Sequence, residues 1–238
     1  MPSSLNSTID TKIQVRLRVS PDGAQARLPA PWHLAPTVTG PHAGTNLLVI
    51  FTDVLLRQDA GGAPAPDAVN RYVAFLVPAV HSQTGEKVQF MARVLAAHPA
   101  SIPGRFGNAA AAAVLREHTL AGTDLETVCT ELFELRTGSQ GCVELRLRYR
   151  RGVPERITWP TNLRSTSDPA LARSYRSEAL VDIVRSIPAG INRVEAYSLR
   201  VTVPGLTTSF DGTERLVSIT AVPWFTRQEF ALPDPIAS

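Results

Sequence analysis

From Lys12 to Val19 every second residue is apolar, so Ile13, Val15, Leu17 and Val19 fall on one face of an extended chain. A period of two marks a half-buried strand. A continuous apolar run, NLLVIFTDVLL, follows, with the β-branched content of a strand covered on both faces. RYVAFLVPAV and VQFMARVLAA are two further strands, turned into a hairpin by HSQTGEK, and RTGSQG turns another pair. NRVEAYSLRVTVPGL and ERLVSITAVPWF supply the last two. Nothing alternates strand with helix, which excludes a Rossmann sheet.

One segment has a different period. In DPALARSYRSEALVDIVRSIP, Leu171, Tyr175, Leu180, Ile183 and Val184 make a helical stripe, with Asp168 to cap it and Pro169 in its first turn. The expected architecture is therefore α+β and mostly antiparallel β, barrel-like, with one main amphipathic helix. It forms a single domain over 1–238, with 1–11 as a frayed or extended tail.

Composition narrows the function classes. With 44% apolar and 19% charged residues, the chain has material for a sizeable core. The net charge of +3 is small and its basic residues are scattered, which argues against nucleic acid as a partner. The basic residues are 22 arginines with only Lys12 and Lys87, a bias typical of GC-rich bacterial coding. Any amine chemistry must then use one of two side chains. Cys129 and Cys142 are too few to staple this length, and no apolar run is long enough for a membrane helix. A reduced, cytoplasmic protein with no membrane partner is the expectation, with self-association left open.

The five histidines, 33, 42, 81, 98 and 118, lack metal-ligand spacing, and no GxSxG elbow occurs, so neither a metal nor a serine triad is expected. AGGAPAP precedes a strand and lacks the lysine of a phosphate cradle. Glu131 and Glu134 differ in strand parity, so both cannot face inward. An inward glutamate in an apolar barrel would suit acid/base work. Trp32 sits in a Pro-rich loop, able to close a pocket or to pin the loop. In SIPGRFGNAAAAAV a turn with two glycines presents Arg105, Phe106 and Asn108, and the guanidinium could grip a carboxylate.

Taken in order, the LP-x-x-W loop ending at Trp32, the F-x-D strand at Phe51–Asp53, YVAFLVPAV, the hairpin leading to PGRFGN and the late LVSITAVPWF resemble the acetoacetate decarboxylase-like superfamily over about residues 12–227. The resemblance implies two curved antiparallel sheets closing as a cone around a buried cavity. In the decarboxylases the Gly-Arg turn leads to a lysine pair, one of which forms a Schiff base. Here Asn108 and alanines stand in that place. Lys12, near the terminus, and Lys87, at a hairpin end, are expected to lie outside the cavity.

The resulting expectation is a small-molecule enzyme that kept the cone and exchanged the chemistry, with no cofactor. It would act on an apolar carbonyl compound, keto-acid or polyketide-like, by dehydration, hydration, aldol-type change or cyclisation rather than through an imine. Arg105 would anchor the substrate, and Glu117, His118 or Glu131 would move the proton. Tyr72 or Asn108 would donate to the oxyanion, with Trp32 and Phe106 lining the pocket. The alternative is a non-catalytic binding protein using the same cavity.

Overall fold

A computed structural model describes residues 4–65, 68–102, 106–123, 127–138 and 141–230. Among them fourteen strands follow one another as β1 Ser4–Arg18, β2 Trp32–Leu34, β3 Leu47–Asp59, β4 Asn70–His81, β5 Lys87–Ala96, β6 Ala109–Ala111, β7 Ala113–Ala121, β8 Val128–Thr137, β9 Gly141–Arg150, β10 Glu155–Ser165, β11 Ala172–Ser186, β12 Ile191–Asn192, β13 Val194–Val201 and β14 Arg215–Phe230. One α-helix, α1 Pro21–Gln25, is described, and the Ser20 side chain caps its first turn.

The strands make two sheets. In the larger, β3, β1, β14, β11 and β10 run side by side between β4 and β5, and β4 pairs with β5 to close a seven-stranded barrel. Pairing is antiparallel around the barrel except for a short parallel ladder between Leu163–Ser165 and Gln89–Met91. The smaller sheet, β13-β9-β8-β7, is antiparallel throughout.

Alternation on β1 divides the molecule. Ile13, Val15, Leu17 and Val19 join Leu47, Val49, Phe51, Val73 and Phe75 from the barrel wall and Phe133, Leu135, Val143, Leu145 and Leu147 from the small sheet in one buried core. Phe51 and Phe133 meet across that interface with ring centroids 5.4 Å apart. Each such buried side chain contributes about 1.5–3 kcal/mol. The opposite face of β1 turns Lys12, Gln14 and Arg16 into the barrel.

Two expectations are corrected here. The segment expected as a helix is a strand, β11, between β10 and β14. Tyr175, Ser177 and Ala179 alternate inward. Irregularities between Leu180 and Asp182, and again between Ile183 and Arg185, then shift the pairing. The inward face also carries serines and an aspartate, so polarity does not alternate and the residues that remain apolar fall at helical spacing. From Ser4 onward the expected tail is part of β1, paired with both β14 and β3.

Candidate active site

Inside the barrel lies a chamber of about 280 Å³. Its apolar wall includes Leu48, Ile50, Ala74, Leu76, Met91, Trp159 and Leu163. Into it project Lys12 and Arg16 from β1, Tyr72 from β4, Tyr175 and Ser177 from β11, and Arg227 from β14. On β1 the chamber residues are the polar face of a strand whose other face joins the sheet-to-sheet core.

Lys12 is the centre of the arrangement. Its residue is 6% exposed, its Nζ sits 3.1 Å from Asp10 Oδ2, and the ammonium lies 3.0 Å from the Phe225 ring centroid. Burial is the largest influence and lowers its pKa. Asp10 pulls it back up and Arg227 pushes it down, leaving it at about 7. Far more of this amine is therefore neutral near pH 7 than of an exposed lysine.

Arg227 stacks on Tyr175, with 4.6 Å between guanidinium carbon and ring centroid, and its Nη2 is buried without a hydrogen-bond partner among the described residues. Burial opposes its charge, but Tyr72, Tyr175 and Asp10 outweigh that and raise its pKa, so it stays cationic. Burial also raises the pKa of the Tyr72 phenol, keeping it a neutral proton donor.

A second cavity of about 390 Å³ lies between the barrel and the small sheet. There β7 and β8 pair His118 with Glu131, bringing His118 Nδ1 within 2.6 Å of Glu131 Oε1. Arg116 bridges Glu131 at 3.1 Å and Asp53 at 2.9 Å, and also donates to Thr11 Oγ1 at 2.7 Å. Both Glu131 oxygens are occupied by Arg116, and one also by His118. The buried Cys129 thiol, its pKa raised by burial, lines the same cleft. Among the described residues no three His, Cys, Asp or Glu side chains gather as metal ligands would.

The residues singled out from the sequence are distributed as follows. Tyr72 lines the chamber, whereas His118 and Glu131 meet in the cleft. Glu117 pairs with Leu132 on the opposite face of β7 and is exposed. Trp32 packs edge-on against His81 and Phe90 under the Arg164 guanidinium and lines neither cavity.

Phe106 and Asn108 also lie outside both cavities. The Phe106 carbonyl accepts from Ser167 Oγ at 2.8 Å and from Ser165 Oγ, and Asn108 Nδ2 donates to the Met91 carbonyl. These bonds pin the turn to β5 and β10, and the alanines beyond it form β6 along β5. Arg105 lies outside the described residues.

The expectation that no amine enters the cavity is corrected by Lys12, whereas Lys87 is exposed at the start of β5. Proximity to the terminus says nothing about burial once the terminal strand is a barrel stave. Lys12, Asp10, Arg16, Tyr175 and Arg227 were all missed. The available signal was Asp10, Lys12, Gln14 and Arg16 alternating with the apolar stripe of β1.

No protein-family model and no curated protein sequence matches the chain. Solved structures do. An acetoacetate decarboxylase-like enzyme from Sphingomonas wittichii RW1 superposes with a TM-score of 0.61 at 14% identity, covering 98% of this chain and 94% of that one. The fold is the one this acetoacetate decarboxylase-like enzyme has.

Other solved structures of this fold agree. The enduracididine biosynthesis enzyme MppR, complexed with pyruvate, gives 0.59 at 11% identity over 97% of this chain and 89% of its own. An acetoacetate decarboxylase from Legionella pneumophila gives 0.53 at 13% identity over 99% and 90%. The acetoacetate decarboxylase-like barrel is thus present over almost the whole length, with its cavity lined as described above.

Proposed function

We propose that this chain is an enzyme that binds a small 2-oxo acid in the barrel chamber and activates its ketone as an imine on Lys12. The observation that carries the reading is a buried chamber-wall amine whose pKa stands at about 7. An ordinary lysine is almost wholly protonated at neutral pH and cannot attack a carbonyl, whereas a desolvated one beside another cation can. A protein that only held a ligand would not need a neutral amine in its chamber wall.

The neutral amine adds to the ketone carbon, and the oxygen departs as water with the two amine hydrogens. Protonation of the imine nitrogen from solvent then creates an electron sink for breaking or forming a bond at the neighbouring carbon. Arg227, with an unused buried Nη2, is suited to hold the adjoining carboxylate in a charge-assisted contact. Tyr72 is suited to pass a proton to the departing oxygen. The complexes of MppR with pyruvate, and with the condensation product of pyruvate and imidazole 4-carboxaldehyde, support a 2-oxo acid and an aldol-type change as the chemistry of this barrel.

Borohydride reduction in the presence of pyruvate, followed by peptide mass spectrometry, tests this. A reduced adduct on Lys12 is expected. No adduct, or one confined to Lys87, overturns the reading.

A further inference from the structure

The chamber is charged at both ends, and only one end is accounted for by a 2-oxo acid on Lys12. Arg16 stands four residues from Lys12 on the same face of β1, a backbone separation of about 13 Å. Its guanidinium reaches back toward Lys12, donating from Nη1 to Thr220 Oγ1 at 2.8 Å and from Nη2 to Gln14 Oε1 at 2.6 Å. Thr220 is paired with Gln14, which sets the guanidinium about 7 Å along the strand from the level of Lys12.

Both partners are neutral, and among the described residues no carboxylate forms an ion pair with Arg16. The nearby His42 supplies no negative charge: burial and Arg16 keep its imidazole neutral, and its Nδ1 is engaged with Ser218 Oγ at 2.8 Å. Arg16 therefore carries a half-buried positive charge, and three of its five N–H donors have no partner among the described residues. Such a charge is costly unless something anionic meets it. Arg227 is paired with Thr8, on the other side of Lys12 along β1, so Arg227 and Arg16 bracket Lys12.

We propose that the substrate is a dianion, a 2-oxo dicarboxylic acid of five or six carbons. This rests on the imine reading above and specifies its substrate class. The carboxylate beside the ketone sits at Arg227, the ketone at Lys12, and the distal carboxylate at Arg16. The volume agrees. A chamber of about 280 Å³ has room for a ligand the size of a five- or six-carbon 2-oxo diacid.

The test titrates the full chain with 2-oxoglutarate and with 2-oxopentanoate, which differ only in the distal carboxylate. Saturation of borohydride trapping at Lys12 is the readout. The diacid is expected to half-saturate at a concentration at least tenfold lower than the monoacid, and Arg16→Gln is expected to bring the two within twofold of each other. Equal half-saturation in the unaltered protein, or a preference that survives in Arg16→Gln, overturns the dianion while leaving the imine intact. Trapping with neither acid overturns both. If Arg16→Gln does not fold, the ratio in the unaltered protein decides alone.

Discussion

Lys12 Nζ lies 3.1 Å from Asp10 Oδ2, and both side chains are buried on the same face of β1. The pair is not a simple structural ion pair, because burial and Arg227 act against the lysine's charge while Asp10 defends it. The carboxylate therefore sets how much neutral amine is present at a given pH.

Imine formation needs that neutral amine, so trapping with pyruvate is expected to rise with pH through about 7. Asp10→Asn removes an influence that raises the lysine pKa, and the acidic limb should move to lower pH. Initial trapping rates between pH 5 and 9 would show it. A limb that moved upward, or stayed in place, would mean that Asp10 is not what holds the proton on Lys12.

The same titration acts on stability. Lys12 falls from 10.5 in the unfolded chain to about 7 in the fold, so between those values the unfolded chain binds more protons and stability rises with pH. Below about 7 the full cost of burying the charge is felt. His42 behaves alike at lower pH: depressed from 6.5 to about 4, it contributes stability above 6.5 that is lost as pH falls toward 4. Urea unfolding of Lys12→Met should therefore show a flatter rise from pH 7 to 10.5 than the unaltered protein, with the rise between 4 and 6.5 retained. An identical slope in both would contradict burial of a titrating amine.

Glu131 has a different place. It meets His118 as an acid/base pair would, but both of its oxygens face Arg116, which also bridges to Asp53 and Thr11. Removing one member of a buried ion pair leaves its partner uncompensated, at about 3–5 kcal/mol. Glu131→Ala is expected to lose about 3 kcal/mol in denaturant unfolding while trapping at Lys12 persists under conditions where the chain stays folded. Loss of trapping at full folding would move the chemistry to the cleft.

Much of the fold could be read from the alternating segments, because where a strand packs one face on the sheet-to-sheet core its apolar residues keep strict period two. That is the case for Ile13 to Val19 and for Cys142 to Arg148. The reading failed where the other face turns into a polar chamber. On β11 Tyr175 and Ser177, facing the chamber, and Asp182, facing the cleft beyond a register shift, broke the alternation and left a helical stripe. On β1, Asp10, Lys12, Gln14 and Arg16 have the same pattern whether they face solvent or the inside of a barrel. Closure decides which. The β4–β5 hairpin could be read from its turn, but closure also needs the three-pair ladder between β5 and β10, which no local pattern encodes. His118 and Glu131, each singled out in the sequence as an alternative carrier of the proton, are brought together by the β7–β8 register, which the sequence reading did not use. Arg227, more than two hundred residues from Lys12, had no local sign of its role.

Trp32 offers a test that separates position in sequence from position in space. Its loop resembles a pocket mouth, yet its ring packs edge-on at 4.8 Å from His81 and 5.1 Å from Phe90, with Arg164 5.2 Å from the ring. It lines neither cavity and is 5% exposed. Trp32→Ala removes a large buried side chain at the edge of the sheet, a change worth about 3–5 kcal/mol. The denaturation midpoint should fall accordingly, while the half-saturating concentration for trapping at Lys12 stays within twofold, measured at a temperature where both forms are folded. A large rise in that concentration with little change in stability would mean that the indole reaches the ligand and that the barrel is entered beside β2.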